Sequence, residues 1–424
     1  MKNFVILSIY LGSLLLFVAC AGPENATIEA QKAAEQEAPP VIPKYDSVPD
    51  QKFAWITLDG GQSQLDFNPQ VDILFVSDNS DSMKSTQANL SRNIEKFANG
   101  ITQNKMIDYH IGVVSTWDSS ERFAKNKKDK FETGDLRYVT DRSGKAVNLR
   151  YVTKATRSKI DLASTINIGV APYDQGGPEV EEFFTPLEAA LQKNGRGASN
   201  EEFFRAEAQL VVILVTDADD STARISPEQM AQILVDSKGG QAKKVSAYGV
   251  LVRANDSDDV KDWALKVHPT YHPECFDMSG KKPKSTGQCK GFGPDRIEQF
   301  IIAANADAGT PDQIRAKFIM PLTSKKFGDD LAKIGGDITV KTLAKEIFLQ
   351  QRPRLDEATK KIMIRVRYGI SSELAKGKGQ LIPQQQAGGW LYNPENNSIR
   401  LSGDVKYVYV EGARFAIDMM TLVK

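Results

Sequence analysis

Between Val71 and Met83 the chain runs Val-Asp-Ile-Leu-Phe-Val-Ser-Asp-Asn-Ser-Asp-Ser-Met, an apolar stretch that stops at Asp78-x-Ser80-x-Ser82. Three hard oxygen side chains on one short loop suit Mg²⁺, which prefers near-octahedral oxygen coordination and keeps some of its waters. One carboxylate and two neutral hydroxyls leave part of the ion's charge uncancelled, so a metal held this way attracts a carboxylate from outside. A second apolar stretch, Leu210-Val-Val-Ile-Leu-Val-Thr216, ends in Asp217-Ala-Asp219-Asp220 and brings another carboxylate to another strand end. Oxygen ligands of this kind suit Mn²⁺ or Ca²⁺ as well.

Such loops need rigid elements behind them. Stretches 71–77 and 209–216 are apolar throughout, as strands buried on both faces are. Helix 85–103 places Leu90, Ile94, Phe97 and Ile101 on one face. Strand 109–116, helix 180–193, helix 226–237, strand 244–252 and helices near 294–307 and 328–348 continue the alternation, the last interrupted by Gly335-Gly336. Alternating strands and amphipathic helices predict an α/β fold with a doubly wound, mostly parallel sheet, Rossmann-like in plan. Ligands of such sheets sit beyond the carboxyl ends of the strands, so the two acidic loops are expected to meet. Residues 118–160, with a hairpin from Leu136–Thr140 and Leu149–Thr153, and residues 253–312 are expected as insertions in a domain spanning 51–350. From 351 to 424 the texture is all-β, a small domain that is expected to pack on the first rather than fold alone. Trp390 and Tyr392 are expected in its core, and His110, inside a strand, is expected to be packed rather than catalytic. Asp219 and Asp220 are expected to face solvent or to cap helices.

Lys2 precedes an apolar run from Phe4 to Ala19 that stops at Cys20-Ala21-Gly22. This pattern predicts a signal peptide over 1–19. Leu16-Phe17-Val18-Ala19-Cys20 resembles a bacterial lipobox, with Phe17 where Leu is usual. That resemblance implies lipidation of Cys20 and anchoring without a spanning helix, on the outer membrane by the Ala21 that follows. Residues 20–50 lack regularly spaced large apolar side chains and are expected to be a flexible tether. Cys275 and Cys289 remain, an even pair in an oxidising compartment, and a disulfide is expected. Zinc is the alternative, because His268 and His272 lie close by in sequence. Lys plus Arg number 54 against 54 Asp plus Glu, so no overall basic charge points to nucleic acid.

The strand-loop pairs at Asp78 and Asp217 resemble a von Willebrand factor type A (VWA) domain with its metal-ion-dependent adhesion site (MIDAS), particularly in exported bacterial lipoproteins. The resemblance covers roughly residues 65–350. It implies that Asp78, Ser80 and Ser82 form the first metal loop and Asp217 the third. The family's second loop carries Thr-x-Thr-Gly, which this chain lacks; Thr185 is the candidate there, with Glu179 or Glu182 as acidic substitutes. The duller alternative for Asp78 and Ser80 is capping of the following helix.

The function expected is a lipid-anchored, metal-dependent protein-binding module of the bacterial envelope, whose partner offers an Asp or Glu to the metal. The alternative is a structural envelope protein in which the metal staples loops and the β-domain binds. Metal-dependent hydrolysis is the remaining class. It lacks a general base beside the loops, and no Gly-x-Ser-x-Gly, P-loop or His-Glu-x-x-His occurs. An enzyme is therefore not expected.

Overall fold

The computed structural model describes residues 52–62, 69–253 and 294–423 apart from 105, 106, 323, 325, 357, 409 and 411, and a few positions within 276–285. The predicted signal peptide, most of the tether, Cys20, Cys275, Cys289, His268 and His272 lie outside the described residues. In chain order the main elements begin with β1 (Lys52–Gln62), β2 (Gln70–Ser77), α1 (Lys84–Thr102), β3 (Asp108–Ser115), α2 (Glu121–Asn126) and β4 (Val152–Thr153). They continue with α3 (Leu162–Ile166), α4 (Phe184–Gln192), β5 (Gln209–Thr216), α5 (Pro227–Ser237), β6 (Val245–Leu251), α6 (Asp295–Ala304) and α7 (Pro311–Phe318). The chain ends through β7 (Ile319–Pro321), α8 (Phe327–Leu343), β8 (Lys345–Phe348), β9 (Ile364–Ile370), β10 (Gln380–Ile382), β11 (Trp390–Asn393), β12 (Ser398–Leu401) and β13 (Ala413–Val423).

Six strands form one sheet in the order β4-β3-β2-β5-β6-β7. Every neighbouring pair is parallel except β3 and β4. The chain leaves β2 to one side for β3 and returns to its other side for β5, so connections diverge at the carboxyl ends of β2 and β5. This is the doubly wound sheet expected from the sequence. Val71 through Val76 apart from Asp72, and Leu210 through Val215, supply its apolar centre. Leu90, Ile94, Phe97 and Ile101 of α1 are all buried.

Two short stretches depart from expectation. The 136–153 segment turns back on itself, with Val139 N–H donating to the Leu149 carbonyl at 2.9 Å. Its end at Val152–Thr153 then leaves that hairpin and adds an antiparallel edge strand to β3. The helix expected over 328–348 stops at Leu343, because Ala344 turns extended and Lys345–Phe348 pairs with β12.

Gly335-Gly336 does not break α8, and the two glycines differ physically. A Cβ on Gly335 would meet the Phe97 carbonyl oxygen at 2.1 Å, whereas one on Gly336 would meet nothing within 4 Å. Gly335 therefore lets α8 lie directly on α1. Gly335→Ala is expected to destabilise by about 1–3 kcal/mol through overpacking. Gly336→Ala should stabilise by roughly 0.5–1 kcal/mol, because helical Ala loses less backbone entropy than Gly. Opposite shifts of the urea midpoint would bear this out, and equal shifts would contradict it.

The remaining strands form two small antiparallel sheets, β1-β13-β9-β10 and β8-β12-β11. Their shared core includes Val366, Tyr368, Trp390, Ile399, Leu401 and Phe415. Trp390 donates its indole N–H to the Ile382 carbonyl at 3.0 Å, and Tyr392 is buried, so both aromatics are core residues as expected. The boundary at 51 needs correction: β1 belongs to this β-unit, with Phe53 opposite Leu422 and Trp55 opposite Met420. β8, before residue 350, belongs here too. Asp418 on β13 accepts a two-pronged pair from Arg367 at 2.5 and 2.6 Å and a hydroxyl bond from Thr57 of β1 at 2.8 Å. Chain ends far apart in sequence are thus joined across one strand.

Candidate metal centre

Ser77 ends β2 and Thr216 ends β5, two adjacent parallel strands, so the loops that follow start side by side. Asp78 N–H donates to the Val215 carbonyl at 3.0 Å. The Thr216 hydroxyl donates to one Asp78 oxygen at 2.8 Å, and the Ser80 N–H to the other at 2.8 Å. Ser80 and Ser82 hydroxyls lie 3.0 Å apart, and Ser82 donates to Asp217 at 2.9 Å. Asp78, Ser80, Ser82 and Asp217 are all buried and form one connected cluster.

A tight turn at Asp81–Met83 leads from this loop into α1. Neither Asp78 nor Ser80 caps a helix: no side-chain cap bond is made at the start of the turn or of α1. Asn79 points the other way, accepting from the Thr116 hydroxyl at 2.7 Å while its carbonyl accepts from Ala171 N–H at 2.9 Å. Gln87 of α1 donates to the Asp78 and Gly169 carbonyls at 2.6 and 3.0 Å and fixes the loop from behind.

The second loop sets Thr185 beside the loop that follows Asp217. The Thr185 hydroxyl lies 3.4 Å from that of Thr222 and bonds to none of the other four candidate residues. Glu182 turns to the Ser119 N–H at 3.1 Å, and Glu179 is exposed with its own N–H donated to Asp118 at 3.1 Å. Glu181 is the acidic group that feels the cluster. Glu181 is half-buried, and desolvation first, then the charges of Asp78, Asp217 and Asp118, hold its carboxyl well above the usual carboxylate range. Ser221 N–H donates to the Glu181 carbonyl at 2.9 Å, which ties this residue to the loop that follows Asp217. The sequence expectation does not single out Glu181; the acidic run Glu179–Glu182 is the available signal, but it does not say which member turns inward.

Burial also raises the pKa of Asp78, while Asp217 is pushed up to about 7 by burial and by the charge of Asp78. Among the described residues no Lys, Arg or His pairs with Asp78, Glu181 or Asp217. Buried carboxylates without a cation are costly, and either protons or a metal relieves them. No group of three His, Cys, Asp or Glu among the described residues is arranged to hold a metal by itself. The set is instead mixed: two Asp and two Ser oxygens, hard donors that fit a small divalent cation.

Asp219 and Asp220 are helix caps. Asp219 accepts from Arg296 and Ile297 N–H groups of α6 at 3.0 and 3.2 Å. Asp220 accepts from Phe183 and Phe184 N–H groups at the start of α4 at 2.8 and 3.1 Å, and pairs with Arg296 at 3.3 Å. The opposite end of the sheet holds His110, whose Nδ1 lies 3.0 Å from the Phe203 carbonyl and 3.8 Å from Asp72. It is packed beside a buried Asp72–Arg205–Lys238 network. No helix among the described residues is long and apolar enough to cross a membrane.

No protein-family model and no curated protein matches this chain. Solved structures do. Proximal thread matrix protein 1 from the mussel byssus aligns at 13% identity over 70% of this chain with a TM-score of 0.33. A von Willebrand factor type A protein from Catenulispora acidiphila aligns at 10% identity over 88% with a TM-score of 0.31, and the pilus adhesin SpaC from Lactobacillus rhamnosus GG at 10% over 88% with 0.29. The match spans 52% of the mussel chain, 66% of the Catenulispora chain and 41% of the adhesin. At these scores the likenesses add nothing to what the strand order and loop geometry establish.

Proposed function

We propose that this chain is a metal-dependent protein-binding module, a VWA-type domain carrying a MIDAS-like site, lipid-anchored through Cys20 to the bacterial envelope, on the outer membrane. The observation that carries this reading is the convergence of Asp78-x-Ser80-x-Ser82 with Asp217, through the 2.9 Å Ser82–Asp217 bond, at the switch point of a doubly wound sheet. Asp78, Ser80, Ser82 and Asp217 would hold Mg²⁺, with Mn²⁺ or Ca²⁺ as substitutes, and Thr185 or Glu181 would face it from the second loop. A bound divalent ion supplies a positive centre for a carboxylate of the partner. The protein's residues keep the donors oriented: Thr216 and the Ser80 N–H fix Asp78, and Gln87 holds its backbone.

Binding is favoured over catalysis because the titratable groups that face the cluster are carboxylates, and the hydroxyls bonded to them, Ser82 on Asp217 and Thr216 on Asp78, belong to the donor set or orient it. Binding is favoured over stapling because the two loops are already joined by the Thr216–Asp78, Asp78–Val215 and Ser82–Asp217 bonds. The test needs no knowledge of the partner. With the full chain loaded with Mn²⁺, water-proton relaxation should fall when a short peptide containing Glu is added at millimolar concentration, and stay unchanged with the Gln counterpart. Equal responses to both peptides would contradict carboxylate recognition.

A further inference from the structure

The chain as a whole carries no net charge, yet residues 118–160 hold twelve Lys and Arg against six Asp and Glu. This segment adjoins the metal loop. A cavity of about 200 Å³ opens between Asn79, which lies between Asp78 and Ser80, and a wall made by Trp117, Phe131, Lys127, Lys128 and Gln175. Local anions neutralise part of the excess: Arg122 pairs with Asp118 at 3.2 Å, and Arg137 with Asp129, a cavity-wall carboxylate, at 2.7 Å. Lys127 is committed to the Phe131 carbonyl and to Glu132. Lys128 is exposed at the cavity wall and has no ion pair or hydrogen bond among the described residues.

Of the three aromatic rings that line the cavity, Trp117 and Phe131 each carry a cation over one face, and Phe123 packs edge-on against Trp117. Lys127 lies 4.7 Å from the centre of the Trp117 ring and Arg137 4.3 Å from that of Phe131. A sugar ring would need such faces free to stack on them. A carboxylate-bearing side chain does not: its methylenes pack against the ring edges while its charge meets the Lys128 ammonium. Positive charge that long side chains hold over rings therefore favours an acidic peptide over a glycan.

We propose that this cavity is a second carboxylate subsite, so that the partner is an acidic protein segment with one carboxylate at the metal and a neighbouring one directed at Lys128. This rests on the metal-dependent binding reading, and adds that a single acidic residue binds more weakly than two neighbouring ones. Electrostatic complementarity of this kind sets partner choice and on-rate more than raw affinity.

The test compares three fluorescent probes against the detergent-solubilised full chain in Mg²⁺: octaglutamate, a matched peptide with one Glu, and oligogalacturonate. Octaglutamate should bind about tenfold tighter than the single-Glu peptide, with a steeper loss of affinity on added salt. Lys128→Glu, an exposed position whose change leaves the core alone, should remove that advantage, while Lys128→Arg keeps it and calorimetric Mg²⁺ affinity stays the same in both. Octaglutamate binding that requires Mg²⁺ but is equal in Lys128→Glu and wild type would overturn the subsite and leave the metal reading standing. Binding that depends on Lys128 in a protein that takes up no Mg²⁺ would overturn the metal reading, and with it the two-point partner. Preference for oligogalacturonate would overturn the peptide assignment.

Discussion

Asp78→Ala is expected to lower Mg²⁺ affinity about a thousandfold, equivalent to about 4 kcal/mol, while moving the metal-free melting temperature by only a few degrees. Two opposing effects meet in the metal-free protein. The substitution leaves the Ser80 N–H and the Thr216 hydroxyl without their acceptor. An unmade buried hydrogen bond costs about 1–3 kcal/mol. Against this, burial already penalises the charged form of Asp78, and its removal relieves the repulsion that raises Asp217 and Glu181. Asp78→Asn keeps the shape and an acceptor oxygen, and should lose Mg²⁺ with still less change in melting. Calorimetric titration and thermal melting on the same samples measure both quantities. A staple would behave otherwise: Asp78→Ala would melt many degrees lower and partner binding would survive.

The second large effect is a reversal of pH dependence by the metal. In the metal-free fold Asp217 titrates at about 7 rather than 3.8, so the folded state holds a proton that the unfolded chain has released. Stability therefore falls as pH rises between those two values, because the folded state binds more protons. The loss amounts to a few kcal/mol, since each tenfold change in proton affinity is worth about 1.4 kcal/mol. Asp78 and Glu181 are raised too and act in the same direction. Mg²⁺ requires the carboxylates ionised, so its affinity rises with pH and its stabilisation is lost as pH falls below about 7. Melting curves with and without Mg²⁺ should converge near pH 4 and separate progressively up to pH 8. Asp217→Asn should abolish most of that separation. A constant difference between the two curves across the range would contradict the assignment.

The parts of the chain that are legible in sequence share one property: their environment is set by neighbours close in sequence or by burial on both faces. β2 and β5 are nearly continuous apolar runs because the sheet covers both of their faces, and their ends mark Asp78 and Asp217 directly. α1 shows its buried face at helical spacing. Asp219 and Asp220 read only as solvent-facing or capping residues; that they cap α6 and α4, helices that start far from them in the chain, is seen only in the fold. What is not legible depends on distant pairing. β1 looks like the first strand of the α/β unit until the final strand of the chain is placed beside it. Which of Glu179, Glu181, Glu182 and Thr185 faces the cluster is decided by the Trp117–Glu182 bridge, a contact between segments about 65 residues apart. Gly335 looks like a helix breaker and is a packing contact, which only the partner helix reveals.

The most direct measurement is anomalous diffraction from crystals of the protein grown with Mn²⁺, collected at a wavelength where manganese scatters anomalously. A metal shared by the two loops requires one peak at bonding distance from Ser80 Oγ and Ser82 Oγ, roughly 2.0–2.3 Å for a small divalent ion with oxygen ligands, with Asp78 and Asp217 bound directly or through water. A peak elsewhere in the chain, or crystals soaked in Mn²⁺ with none between the Asp78 and Asp217 loops, would contradict it.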